Sequence, residues 1–208
     1  MERILDEIGQ VSRIGIGGHI RPDGDCIGSA MGLWLYLKKM LPNSVIQVYL
    51  EKPADIFQII KGVDEIQHNI NTDEQLDVFI VLDCEPNRLG FSETLFQKAK
   101  KTIQIDHHIS SKGCADVVYI KPDASSTSEL IYDLLDKEQL DIEIAKALYI
   151  GMIHDTGVFQ YSNTSKKTLL AAAHLIEFSF DFPSIIEETF YQRTLEQSRL
   201  VGKALMEC

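Results

Sequence analysis

Residues 17–29 read Gly17-Gly18-His19-Ile20-Arg21-Pro22-Asp23-Gly24-Asp25-Cys26-Ile27-Gly28-Ser29. A short β-like run at 13–17 (RIGIG) precedes this stretch, and a helical pattern over 27–40 follows it. In a parallel sheet, a strand–turn–helix of this kind places its turn at the carboxyl end of the strand, where open α/β folds bind ligands. Gly17 and Gly18 let the backbone crowd whatever sits there, and Pro22 stiffens the turn. Asp23 and Asp25, one residue apart across Gly24, can aim two carboxylates at one small volume.

The rest of the chain repeats the alternation. Runs at 45–50 (VIQVYL), 77–82 (DVFIVL), 102–105 (TIQI) and 117–120 (VVYI) are rich in Val and Ile and short enough for a buried sheet. Helical patterns cover 92–99, 127–137, 142–152 and 166–178. This predicts an α/β fold: a mostly parallel five-stranded sheet flanked by helices on both faces. Ser126-Thr127-Ser128-Glu129 matches a capping box, with Ser126 as cap and Glu129 reaching back. Residues 183–208 read as one or two amphipathic helices without a further strand.

Composition limits the function. Of 208 residues, 45% are apolar and 25% charged, the balance of an ordinary globular protein. Apolar runs fall far short of the roughly 20 residues a membrane span requires. The start, Met1 to Glu7, is acidic and amphipathic with no signal-peptide pattern, so the expected location is cytoplasmic. Cys26, Cys84, Cys114 and Cys208 are dispersed and make no C-x-x-C pair; buried, reduced thiols are expected. The net charge of −11, with the Lys pairs at 38–39, 100–101 and 166–167 scattered, leaves no basic face for duplex DNA. A small phosphorylated substrate suits that balance better.

Two further strand ends are polar: Asp83 closes FIVLD, and Asp106-His107-His108 closes TIQID. A fourth element, Gly151 to Phe159, breaks a helical pattern at His154-Asp155-Thr156-Gly157. Each has a plain structural explanation as a cap or turn. An EF-hand reading of Asp23-Gly24-Asp25 fails, because its fifth and twelfth positions are Ile27 and Trp34 where oxygen ligands are required. An aspartic-protease reading of Asp155-Thr156-Gly157 lacks the second triplet and the all-β context. Together the elements supply four carboxylates (Asp23, Asp25, Asp83, Asp155) and two imidazoles (His19, His107), a ligand set suited to two metal ions. Mixed His and Asp ligation without thiolate favours Mn²⁺, followed by Mg²⁺, Co²⁺ or Fe²⁺.

In their order, H-x-x-x-D-x-D at 19–25, Asp83, D-H-H at 106–108 and Asp155, these residues resemble the DHH phosphoesterase superfamily. The stretches HIRPDGDCIGS, DCEPNRLG and HDTGVFQYSNT are similar to its nanoRNase and pAp-phosphatase group. The resemblance implies that His19, Asp23 and Asp83 hold one metal, while Asp25, Asp83, His107 and Asp155 hold the other, with Asp83 bridging. It implies that His108 faces the substrate phosphate, that Asp106 orients the histidines, and that Arg88 contacts phosphate. It places a catalytic domain at 1–182 and, at 183–208, a connecting helix toward a C-terminal substrate-binding domain. The implied activity is Mn²⁺-dependent hydrolysis of short single-stranded RNA, linear dinucleotides or 3′-phosphoadenosine 5′-phosphate (pAp), in a chain that could pair as a homodimer. Pyrophosphate or polyphosphate hydrolysis and a non-catalytic metal or nucleotide sensor are the competing readings. A replication-linked single-strand exonuclease fits less well, since no basic track is present.

Overall fold

Val- and Ile-rich runs form β1 (Arg13–Gly17), β2 (Val45–Tyr49), β3 (Val78–Leu82), β4 (Lys101–Asp106) and β5 (Val117–Ile120). They pair in parallel throughout, in the order β2-β1-β3-β4-β5. The computed structural model describes residues 3–70 and 75–207. The chain leaves β1 to build β2 on one side and returns to build β3 on the other. Loops at the carboxyl ends of β1 and β3 therefore diverge and open a cleft, the switch point where such sheets bind ligands. β4 is longer than the sequence suggested: Asp106 pairs in register with Ile120, so it lies inside the sheet.

The two faces are unequal. Ile14, Ile16, Ile80 and Ile103 point into the main core with α2 (Gly24–Met40), α4 (Thr127–Leu134) and α5 (Ile142–Asp155). Phe79 and Val81 face the other way, against Leu89 and against Leu95 of the short α3 (Glu93–Lys98). Gly15 and Gly17 on β1 lie directly under the Phe79 ring, where a Cβ would come within 2.7 Å of it. The amphipathic start is α1 (Ile4–Ile8), with Ile4 and Ile8 buried; Met1 and Glu2 lie outside the described residues.

Two helix boundaries shift in a way that matters for the cleft. α2 starts at Gly24, three residues earlier than its apolar pattern, because Asp23 Oδ1 accepts from the N–H groups of Asp25 and Cys26. α5 runs three residues past the expected Met152 and ends on Asp155. These two helices also pack very closely. A Cβ on Gly28 would stand 2.6 Å from the Ala147 carbonyl oxygen and 2.7 Å from Gly151 N. The missing side chains let the helix bearing Asp25 lie directly against the helix bearing Asp155.

Beyond them come α6 (Lys166–Ile176), capped reciprocally by Ser165 and Thr168, and α7 (Phe182–Ile186). The segment expected as a connecting helix is broken. A π-helical turn (Glu187–Tyr191) follows α7, and α8 (Leu195–Glu207) buries none of its residues. Cys208 lies outside the described residues. Cys26 and Cys84 are buried as expected, but Cys114 is exposed, a correction to the expectation for it. Among the described residues, no helix is long and apolar enough to cross a membrane.

Candidate metal centre

His19 follows β1 after Gly18, and its ring is fixed by Nδ1–H donating to the Ile20 carbonyl at 2.8 Å. Its Nε2 is therefore the nitrogen turned inward, toward Asp23 Oδ2 at 3.6 Å and Asp83 Oδ2 at 3.5 Å. Asp23 serves two purposes at once, since Oδ1 caps α2 while Oδ2 faces His19.

Asp83 sits at the carboxyl end of β3 with φ at 61°, a left-handed backbone that an L-residue adopts at a cost of order 1–3 kcal/mol. The carboxylate it carries lies between two imidazoles. Oδ2 faces His19, and Oδ1 lies 3.5 Å from His107 Nε2.

His107 Nε2 is also 3.9 Å from Asp25 Oδ2 and 3.6 Å from Asp155 Oδ2. These separations exceed a charge-assisted hydrogen bond of roughly 2.7–2.9 Å. Correspondingly, His107 Nε2 is buried without a hydrogen-bond partner. A buried imidazole nitrogen ringed by three carboxylates at such distances has room for a cation between the groups. The donor set His, Asp, Asp, Asp suits a hard or borderline divalent ion. Ligand atoms of Asp25, His107 and Asp155 lie within 4.8 Å of one another, as do those of His19, Cys26 and Asp83, so the residues present can hold divalent cations.

Electrostatics point the same way. Burial works against charge on His19, yet Asp23 and Asp83 hold its pKa up to about 10. For His107 burial is again opposed, by Asp83, Asp25 and Asp155, which raise it to about 9. Burial together with Asp83 and Asp155 pushes Asp25 well above the usual carboxylate range. Asp155 rises to about 6, chiefly through burial and through Asp83 and Asp23. Five carboxylates face three imidazoles (His19, His107, His108), an excess of negative charge that added cations would relieve.

His108 points elsewhere. Its Nδ1–H donates to Asp106 Oδ1 at 2.7 Å, and its backbone N–H reaches the same oxygen at 3.1 Å. Ser111 Oγ donates to Asp106 Oδ2. Asp106 thus orients His108, not both histidines. The Asp106 hydrogen bond keeps His108 above its ordinary pKa although burial opposes it. With Nδ1 tied down, Nε2 is the nitrogen left for a substrate. His108 lines a cavity of about 190 Å³ with Arg88, Asn87, Ser110 and Ser111, so the two residues expected to meet a phosphate share one cavity.

Three contributors were not assigned from sequence. The N–H groups of Thr127 and Ser128 donate to the two oxygens of Asp25, at 2.6 and 2.9 Å. Thr127 Oγ1 donates to Asp83 Oδ1 at 3.0 Å. Asn163 Nδ2 donates to Asp155 Oδ2 at 3.3 Å. The capping box is half formed: Ser126 Oγ accepts from Glu129 N, but the Glu129 carboxylate bonds Ser125 instead of reaching back to Ser126.

Residues 13–152 match the DHH family, N-terminal domain. The chain belongs to the DHH family. Among DHH relatives, the bifunctional oligoribonuclease and PAP phosphatase NrnA of Bacillus subtilis (strain 168) is 30% identical over 190 residues, covering 88% of this chain and 58% of its own length. The cyclic-di-AMP phosphodiesterase PdeA of Listeria monocytogenes is 29% identical over 222 residues, covering 96% of this chain and 33% of PdeA. The crystal structure of an exopolyphosphatase-related protein from Bacteroides fragilis superposes with a TM-score of 0.85 at 24% identity, over 97% of this chain and 63% of that one. That likeness supports the fold, a parallel five-stranded α/β domain. The chain spans about three fifths of the length of the NrnA relatives it matches.

Proposed function

We propose that this DHH domain is the catalytic part of a two-metal phosphoesterase acting on short oligoribonucleotides, linear dinucleotides or pAp, with Mn²⁺ as the preferred ion. The observation that carries the reading is His107 Nε2, buried and unpartnered among Asp25, Asp83 and Asp155. The names of the NrnA relatives, which denote oligoribonuclease and PAP phosphatase activity, support the substrate class. A pair of bound divalent ions would supply an activated water and neutralise charge building on the phosphoryl oxygens.

The chain's own residues do the rest. Asp83 joins the two halves of the centre through its two oxygens. Asp23 and Asp25 are fixed by helix caps and backbone N–H groups, so little reorganisation accompanies binding. His108, whose contact with Asp106 favours its protonated form, would offer Nε2–H to a non-bridging phosphate oxygen, and Arg88 adds a second cationic donor in the same cavity.

The deciding assay is release of mononucleotide from the dinucleotide pApA in Mn²⁺, beside release of phosphate from pAp and from pyrophosphate. Cleavage of pApA or pAp, stopped by chelator, is expected. Asp83→Ala removes the shared carboxylate and should abolish turnover. Near-normal activity in that variant would sink the mechanism, and preferential hydrolysis of pyrophosphate would replace the substrate class.

A further inference from the structure

Residues 125–128 form a strap of three serines and one threonine that enters α4, and each of the four is fully buried. Such a run is normally explained as a helix start. Its contacts go further. The N–H groups of Thr127 and Ser128 occupy one lone pair on each Asp25 oxygen, and Thr127 Oγ1 donates to Asp83 Oδ1. The Ser125 carbonyl accepts from Asn163 Nδ2 at 2.9 Å, and that amide also donates to Asp155 O and Oδ2. One strap thereby reaches Asp25 and Asp83 directly and Asp155 through a single side chain.

The strap is held from behind. Glu129 Oε2 accepts from Ser125 N at 3.2 Å, Ser125 Oγ at 2.6 Å and Thr168 Oγ1 at 2.7 Å. Glu129 is itself buried, with Lys167 Nζ 3.6 Å from its other oxygen.

We infer that Thr127 is a positioning residue of the metal centre: its hydroxyl fixes the rotation of the Asp83 carboxylate, so that one oxygen serves each half of the site. This rests on the two-cation reading given above. The Cβ–carboxylate torsion of Asp is broad and roughly two-fold, so nothing internal to Asp83 selects its angle. A donor on Oδ1 does select it. With Thr127 on Oδ1, that oxygen faces His107 and His108 at 3.5 and 3.7 Å, and Oδ2 is left to His19. Outer partners that orient a ligand change metal affinity by about 10–100-fold when removed.

Three variants separate this role from simple packing of a buried β-branched side chain. Thr127→Val keeps the shape and loses the O–H; Thr127→Ser keeps the O–H and loses the methyl; Thr127→Ala loses both. Mn²⁺ binding to the full chain is titrated by the electron paramagnetic resonance signal of free Mn²⁺, and the unfolding midpoint is read in chelator. Wild type should bind two ions. Thr127→Val should weaken one or both by about 10–100-fold, with Thr127→Ser close to wild type. Should Thr127→Val fail to fold, Ser and Ala, which differ by one oxygen, carry the same comparison. Val binding as tightly as wild type, or Ser losing more affinity than Val, would overturn the inference. Equal affinities for Ser and Ala would do the same. Wild type that binds fewer than two ions would instead overturn the two-cation reading on which it stands.

Discussion

Asp106 is wholly buried, and its Oδ1 accepts both the backbone N–H and the ring Nδ1–H of His108, so its charge is felt mainly by that one imidazole. Burial alone would raise the Asp106 pKa, but His108 and Ser111 hold it below the usual range, and Asp106 in turn holds His108 up. Asp106→Asn keeps a hydrogen-bond acceptor and removes the charge. The His108 pKa should fall, and its charged form should then be lost at a lower pH. If His108⁺ contacts the phosphate, the alkaline limb of the pH–kcat/KM profile moves to lower pH, and activity on that limb drops. An unchanged profile would remove His108 from the reaction. The residue types at this site were legible in the sequence. Their angles were not: Asp83 at φ 61° and the turn from Asp106 to His108 arise where β3 and β4 end beside each other.

At the scale of elements, the centre depends on how closely α2 and α5 approach. Gly28→Ala would press a methyl against backbone, the Ala147 oxygen and Gly151, whereas Gly32→Ala meets the flexible Leu148 side chain. Overpacking of the first kind costs about 1–3 kcal/mol. Chemical denaturation should show Gly28→Ala destabilised by that amount and more than Gly32→Ala. Mn²⁺ affinity should fall with it, since Asp25 and Asp155 ride on the two helices. Equal, negligible losses would mean that the helices can part without cost. The strands were legible because Val and Ile cluster in short runs. The start of α2 was hidden because Gly24 and Asp25 are poor helix formers whose placement is decided by the Asp23 cap. Glu129 looked like half of a capping box, but Ser125 and Thr168 claim its carboxylate instead, a contact 39 residues away in the case of Thr168.

For the whole molecule, gathering these carboxylates and imidazoles makes stability depend on protons and cations together. His19 and His107 have folded pKa values of about 10 and about 9, above the ordinary 6.5. A raised pKa contributes stability that is complete below 6.5 and is lost as pH climbs through the folded value. The metal-free protein should therefore lose stability between about pH 6.5 and pH 10, read as the unfolding midpoint in chelator. A cation must displace those same protons, so Mn²⁺ affinity should rise with pH over this window, and Mn²⁺ should raise the midpoint most on its alkaline side. Midpoints in chelator that rise with pH, or Mn²⁺ affinity that falls, would contradict the proposed ligands.

The sequence alone determined the elements and the inventory. Periodicity and β-branched clusters specify the strands, and the glycines, aspartates and histidines at strand ends mark where chemistry is placed, because those signals are local and each needs only a few neighbouring residues. Tertiary structure decided which of these groups share a volume and how each is aimed. Asp25 meets the residue 127 and 128 N–H groups across more than 100 residues of chain, and Thr127 meets Asp83 across 44. No local pattern encodes such contacts. They exist because the parallel sheet brings the ends of β1, β3 and β4 to one edge, and because α2 and α5 approach closely where Gly28 lies against Ala147 and Gly151.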